Sequence, residues 1–171
     1  MSAVRVQRVY PHPIERVWRA LTSAERLAVW LMPNDFEPRV GHRFTLTTEP
    51  GPGFDGVVRC EVLELDEPRA MTWSWKGGPI DTRVSFELRE VTGGTELTVV
   101  QTGFRGAKGW LIARMLKIGS RTLYGKNLPE ELERMAQGAP PDAADPQPDA
   151  ACMSPEQSVL RRLVAWLSPR S

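Results

Sequence analysis

Histidine and cysteine are nearly absent from this chain: His12, His42, Cys60 and Cys152 are all it has among 171 residues. Two cysteines so far apart build no disulfide framework, and one buried and one exposed thiol are expected. The four residues lack the spacing of zinc ligands, so no metal is expected. His12 stands before a helix and His42 in a turn, where a cap or a solvated side chain is the simplest role. There is no glycine-rich phosphate loop and no Gly-x-Ser-x-Gly elbow. Catalytic residues and cofactors are therefore both expected to be none.

Neither sign of charge dominates. Lys and Arg number 22 against 21 Asp and Glu, which leaves +1. The basic residues are scattered, so no field gathers nucleic acid or an anionic membrane. No apolar run approaches the roughly 18 residues that span a bilayer. The opening MSAVRVQRVY has no apolar core of a signal peptide. No membrane insertion and a cytoplasmic location are the expectations.

The residues that are present give a readable order of elements. Val4 and Val6 alternate with Arg5 and Gln7, which predicts a strand from Val4 to Tyr10. Pro11 and Pro13 stop it, and Pro13 suits the first helical position. Ile14, Val17, Trp18 and Leu21 then fall on one helix face. Ser23 caps a second short helix carrying Leu27, Trp30 and Leu31, which Pro33 ends. Five further strands are predicted: Arg43 to Glu49, Gly56 to Leu65, Ala70 to Lys76, Asp81 to Arg89 and Thr95 to Thr102. Short glycine-bearing turns join most of them into an antiparallel meander. Alternation slips between Val62 and Leu63, the mark of a bulge. A helical stretch from about Ala107 to Met135 closes this unit. At 1.5 Å per residue it is roughly 45 Å long, enough to cross a sheet. Pro129 inside it costs about 3 kcal/mol unless the helix bends, so a kink is expected near Asn127 to Pro129.

Three segments follow from composition. Residues 1–136 form one folded unit. Residues 137–154 are rich in Pro, Ala and Asp and read as a flexible linker. Residues 155–171 carry a short amphipathic helix with the stripe Val159, Leu160, Leu163, Val164 and Leu167. So short a helix is unstable alone in water and must dock, either on its own domain or on a protein partner.

The run Pro13-x-x-x-Val17-Trp18-x-Ala20-Leu21-Thr22, with Trp30 soon after, resembles the opening of the SRPBCC, or START-like, superfamily. More narrowly it resembles the branch related to the C-terminal domain of the activator of the heat-shock-protein ATPase. Gly93-Gly94-Thr95-Glu96-Leu97-Thr98-Val99 followed by Thr102-Gly103-Phe104 is similar to that branch's last strand. Gly109-Trp110 and Leu132-Glu133 fit its closing helix. The resemblance runs from about Val4 to Met135. It implies an α+β helix-grip fold, a curved seven-stranded antiparallel sheet wrapped around a long C-terminal helix. It also implies a small hydrophobic ligand, lipid- or polyketide-like, held between sheet and helix. Other members are cyclases or aromatases of apolar substrates, or assist a chaperone, and both remain alternatives.

By alternation, Trp73, Trp75, Val84, Phe86, Leu97 and Val99 share the concave face beneath the closing helix. They either fill the core or line a ligand site, and Trp75 and Phe86 are large enough for both roles. Gln101 replaces an apolar residue on this face, as a polar group that orients a ligand or as a solvated strand end. Met115 and Tyr124 on the closing helix complete the candidate ligand-binding set. Tyr124 could turn its hydroxyl inward as a weak acid, or outward. Arg83 belongs to the opposite, solvent face.

Overall fold

The computed structural model describes residues 2–50 and 54–141. Most of the expected linker, the whole 155–171 segment and Cys152 lie outside the described residues.

Six strands form: β1 (Ser2–Tyr10), β2 (Arg43–Thr47), β3 (Val57–Asp66), β4 (Ala70–Gly77), β5 (Ile80–Val91) and β6 (Gly94–Phe104). Helices α1 (Ile14–Thr22) and α2 (Ala24–Trp30) follow β1, and α3 (Gly106–Thr122) and α4 (Leu128–Ala136) close the unit. The sheet order is β1-β6-β5-β4-β3-β2, and every neighbouring pair is antiparallel. This is the expected α+β helix-grip arrangement. The seven strands implied by resemblance are corrected to six among the described residues. Between α2 and β2 the chain makes only a single-residue bridge, Asn34 to Leu46. Pro33 and Pro38 flank that stretch and have no N–H to donate to a ladder.

Local chemistry sets the element ends. Pro13 is the N-cap of α1, one residue earlier than expected, with extended φ and ψ of −64° and 153°. Ser23 caps α2 and accepts from the Arg26 N–H. The register of β3 against β4 shifts between Val62 and Glu64, where the alternation slips. At the β5–β6 turn Gly94 has φ +154°, and a Cβ there would collide with the Tyr10 carbonyl. The hairpin can lie this close to β1 only without a side chain.

The expected kink is a π-helical turn, Leu123–Asn127, between α3 and α4. The Leu128 N–H bonds back to the Leu123 carbonyl, five residues away. In that pattern the Tyr124 carbonyl would accept from residue 129, but Pro129 has no N–H. The Tyr10 hydroxyl takes its place, donating to the Tyr124 carbonyl at 2.6 Å. Burial raises the Tyr10 phenol well above its ordinary value, against a smaller opposing pull from Arg8. The hydroxyl therefore stays protonated as a donor. One bond thus ties the bend in the closing helix to the end of β1.

His12 is neither the cap nor the solvated residue that the sequence suggested: it is buried, and α1 has no side-chain cap. Its carbonyl accepts from Thr95 Oγ1 at 2.8 Å, which draws it under the β6 hairpin. Desolvation first, and Arg16 second, lower its pKa from 6.5, with Glu133 opposing. The neutral ring is thus the folded form near neutral pH, and the Glu133 carboxylate 4.0 Å away gains little from it. A lowered folded pKa means the unfolded chain binds the proton more readily below pH 6.5. Stability should therefore fall as pH drops from 6.5 toward the folded value, and level off below it. Denaturant midpoints measured along that window should show the decline, and His12→Gln should flatten it.

Candidate functional site

The inner face of the sheet is where the expected ligand residues converge, and it is not uniform. Trp73, Phe86 and Leu97 are essentially without solvent contact, and Val84 and Val99 are buried beside them. They pack with Trp18, Leu21, Leu128 and Leu132 from α1 and α4 in one large core. Trp73 sits at its centre, with the Phe86, Phe44 and Phe36 rings 4.7, 5.3 and 5.7 Å away, each tilted edge-on. These positions are filled core. α1 lies against β5 and β6 with α4 packed on α1, whereas α3 runs along β1 and touches β6 less.

A second, small core lies at the other end of α3: Val4, Phe104, Ile112 and Ala113, with Ile80 and Leu116 packed against it. The two cores do not join. Gln101 stands at their boundary, because it pairs with Val4 of the small core on one side and Val84 of the large core on the other. Around it the inner face is only partly covered: Val6, Trp75 and Gln101 itself are half-buried. On the closing helix, Leu116 belongs to the small core and Leu123 to the large one, and between them on the same face stands the small, buried Ser120, whose hydroxyl donates to the Lys117 carbonyl.

The polar groups of this strip are connected. Gln101 Nε2 donates to Thr82 Oγ1 at 2.9 Å. The Thr82 hydroxyl in turn donates toward the Trp75 carbonyl, at 3.4 Å. Since that hydroxyl spends its proton on Trp75, it must accept from Gln101. The amide orientation follows, and its carbonyl oxygen is the far end of the chain. Gln101 is thus neither a bare strand end nor isolated in the core.

The remaining expected residues are distributed otherwise. Met115 is half-buried on α3 and belongs to neither core. Tyr124 faces neither the strip nor bulk water. It is buried in the large core against Trp30, with centroids 5.8 Å apart, and burial first and Tyr10 second raise its phenol pKa. Arg83 is exposed, as its strand face predicts. Cys60 is buried in β3, and desolvation pushes its thiol up to about 12. His42 is only partly exposed, stacked on Phe44, with Nε2 2.9 Å from the Asp35 carbonyl. No group of three or more His, Cys, Asp or Glu able to hold a metal occurs among the described residues. No described helix is long and apolar enough to cross a membrane.

One residue, and one feature of a residue already singled out, were not anticipated. Thr82 is buried and shares the inward parity of Val84, Phe86 and Leu88, so strict alternation would have found it. The Trp73 indole N–H is buried with no hydrogen-bond partner among the described residues. Sequence gives no sign of that, because partners are set by the fold.

The model of the family described as activator of Hsp90 ATPase homolog 1-like protein matches residues 11–133. No curated protein matches the chain. Among solved structures, MLL2253 from Mesorhizobium loti is 33% identical with a TM-score of 0.68, over 78% of this chain and 98% of that one. CalU16 from Micromonospora echinospora is 20% identical with a TM-score of 0.61, over 95% of this chain and 87% of that one. DynU16, described as a protein of the dynemicin biosynthetic locus, is 23% identical with a TM-score of 0.64, over 82% of this chain and 49% of that one. The last two show likeness of fold.

Proposed function

Because this chain belongs to the family of activator of Hsp90 ATPase homolog 1-like proteins, we propose that it uses the family's inner face to bind a small, largely apolar molecule. The observation that carries this reading is the boundary between the two cores at Gln101. A domain selected only for stability gains by joining such cores, since each buried methylene contributes about 0.8 kcal/mol. Here the boundary instead holds a half-buried indole, a small serine on the closing helix and a linked amide and hydroxyl. An apolar wall with a few placed polar groups is the usual make-up of a ligand site. The ligand-binding residues are then Trp75, Gln101, Thr82, Val6 and Ser120. Trp73, Phe86, Leu97, Val84 and Val99 form the packed floor beyond them.

The Gln101 side-chain carbonyl has no hydrogen bond to a described residue, and a ligand donor would suit it. The ligand accordingly presents a hydroxyl or phenol on an otherwise apolar skeleton.

Titration with a hydroxylated anthraquinone dye and its dehydroxylated parent, followed by fluorescence, tests this. Both should bind saturably, and Trp75→Ala should weaken both. Gln101→Leu should weaken only the hydroxylated dye, by roughly 3- to 10-fold, the worth of one neutral hydrogen bond of about 0.5–1.5 kcal/mol. Absence of saturable binding, or identical affinities in Trp75→Ala and the parent protein, would overturn the assignment.

A further inference from the structure

The outer side of α3 carries an apolar stripe that no described element covers. Inward, Ile112 and Ala113 are buried against β1 and β6. Outward, Trp110 is 55% and Ile118 56% exposed, with Leu111 and Met115 half-buried between them. Such large apolar side chains grouped along one helix are the exception on a protein surface; Arg114 stands among them, its guanidinium 5.8 Å from the Trp110 ring centroid. The same stretch is one-signed. From Arg105 to Asn127 it carries Arg105, Lys108, Arg114, Lys117, Arg121 and Lys126 and no acidic residue.

The chain supplies a complement to both features. Residues 142–156 carry Asp142, Asp145, Asp149 and Glu156 and no basic residue. The stripe from Val159 to Leu167 follows directly. Its eight-residue span, like that from Trp110 to Ile118, measures about 12 Å along a helix.

We propose that residues 155–167 dock as a helix on the outer stripe of α3, with the acidic stretch before them lying along its basic residues. The reach is sufficient. The 13 residues from Asp142 to Ser154 extend to at most about 45 Å. The path back from Pro141 along α4 and the π turn to the middle of α3 is about 40 Å if the helices were straight. The returning chain meets the C-terminal end of α3 first, so the docked helix runs antiparallel to α3. Asp149 then passes Lys126, and Leu167 comes nearest Trp110. Both apolar faces leave water at one contact, and a helix too short to stand alone acquires its support. This contact lies on the far side of α3 from the proposed ligand strip and does not depend on it.

Cys152 offers a label next to the docked segment, since the Cys60 thiol is buried and pushed up to about 12. With a nitroxide on Cys152 of the full chain, the amide resonances of α3 should be broadened most near Ile118 and Arg121 and less near Trp110. The broadening should persist on dilution and disappear in Leu163→Asp. Ile118→Asp, altered on the other face of the contact, should abolish it as well. Three results would overturn the proposal. One is α3 resonances untouched by the label. Another is broadening only when labelled and unlabelled chains are mixed, which makes the occupant a second copy. The third is broadening that appears only with vesicles of anionic lipid, which makes it a membrane surface.

Discussion

Glu131→Ala should lower the stability of the domain by about 3 kcal/mol, near the low end of what breaking a buried ion pair costs. Glu131 has a fully buried side chain on the inner face of α4, and its Oε1 accepts from Arg26 Nη1 of α2 at 2.7 Å. Its Oε2 has no hydrogen bond among the described residues, with Arg134 Nη1 3.8 Å away. Removing the carboxylate leaves two guanidinium groups facing one another with no anion between them. Arg26 keeps some contact with water and still donates through Nη2 to the Ala139 carbonyl, which moderates the loss. A change of this size shifts the melting midpoint by roughly 10 °C in a domain of this length. The informative comparison is Arg26→Leu with Glu131→Leu. Apolar replacement of a buried pair is often neutral or stabilising, because the desolvation penalty of both charges disappears. A double variant as unstable as Glu131→Ala would show that packing, not charge, holds α2 to α4.

The second large effect is expected at Trp73. Trp73→Ala should cost about 3–5 kcal/mol, the usual toll of emptying a large aromatic site in a close-packed core. Three rings within 6 Å lose their central partner at once. Trp73→Phe separates two opposing terms. The smaller ring forfeits contacts, but it also removes an indole N–H that is buried without a partner among the described residues. An unsatisfied donor costs about 1–3 kcal/mol, so the phenylalanine variant should lose at most about 1–2 kcal/mol. Denaturant midpoints at constant slope measure both. A phenylalanine variant as unstable as the alanine one would mean that the N–H finds an acceptor in the folded protein.

The order of elements could be read directly because each left a local mark. The alternation of Met71, Trp73 and Trp75, the slip at Val62 and the proline at 129 each depend on neighbours a few residues away. Their consequences appear at β4, at the β3 register shift and at the π turn. Other features were hidden because they depend on partners far along the chain. Glu131 lies among Leu128, Leu132 and Met135, on what reads as an apolar stripe. Only the arrival of Arg26, 105 residues away, makes its burial tolerable. His12 reads as a cap or a solvated residue until Thr95 of the hairpin bonds its carbonyl. Gln101 marked itself as a polar interruption, but whether it ended in water or met a neighbour rested on Thr82 across the strand pair.

The candidate ligand set divides along the same line. Alternation alone put Trp73, Trp75, Val84, Phe86, Leu97, Val99 and Gln101 on one face, since successive strand residues point to opposite sides. It could not say which of them α1, α4 and α3 would cover. That depends on where the closing helix lies across the sheet, and the bend at Leu123–Asn127 turns it so that α4 joins α1 while α3 follows β1. Sequence by itself determined the elements, their faces and the antiparallel sheet, because periodicity and turn chemistry are local. Tertiary structure alone decided which aromatic residues became solid core and where the two cores stop short of each other, because burial is a property of surfaces that meet only after the chain has folded.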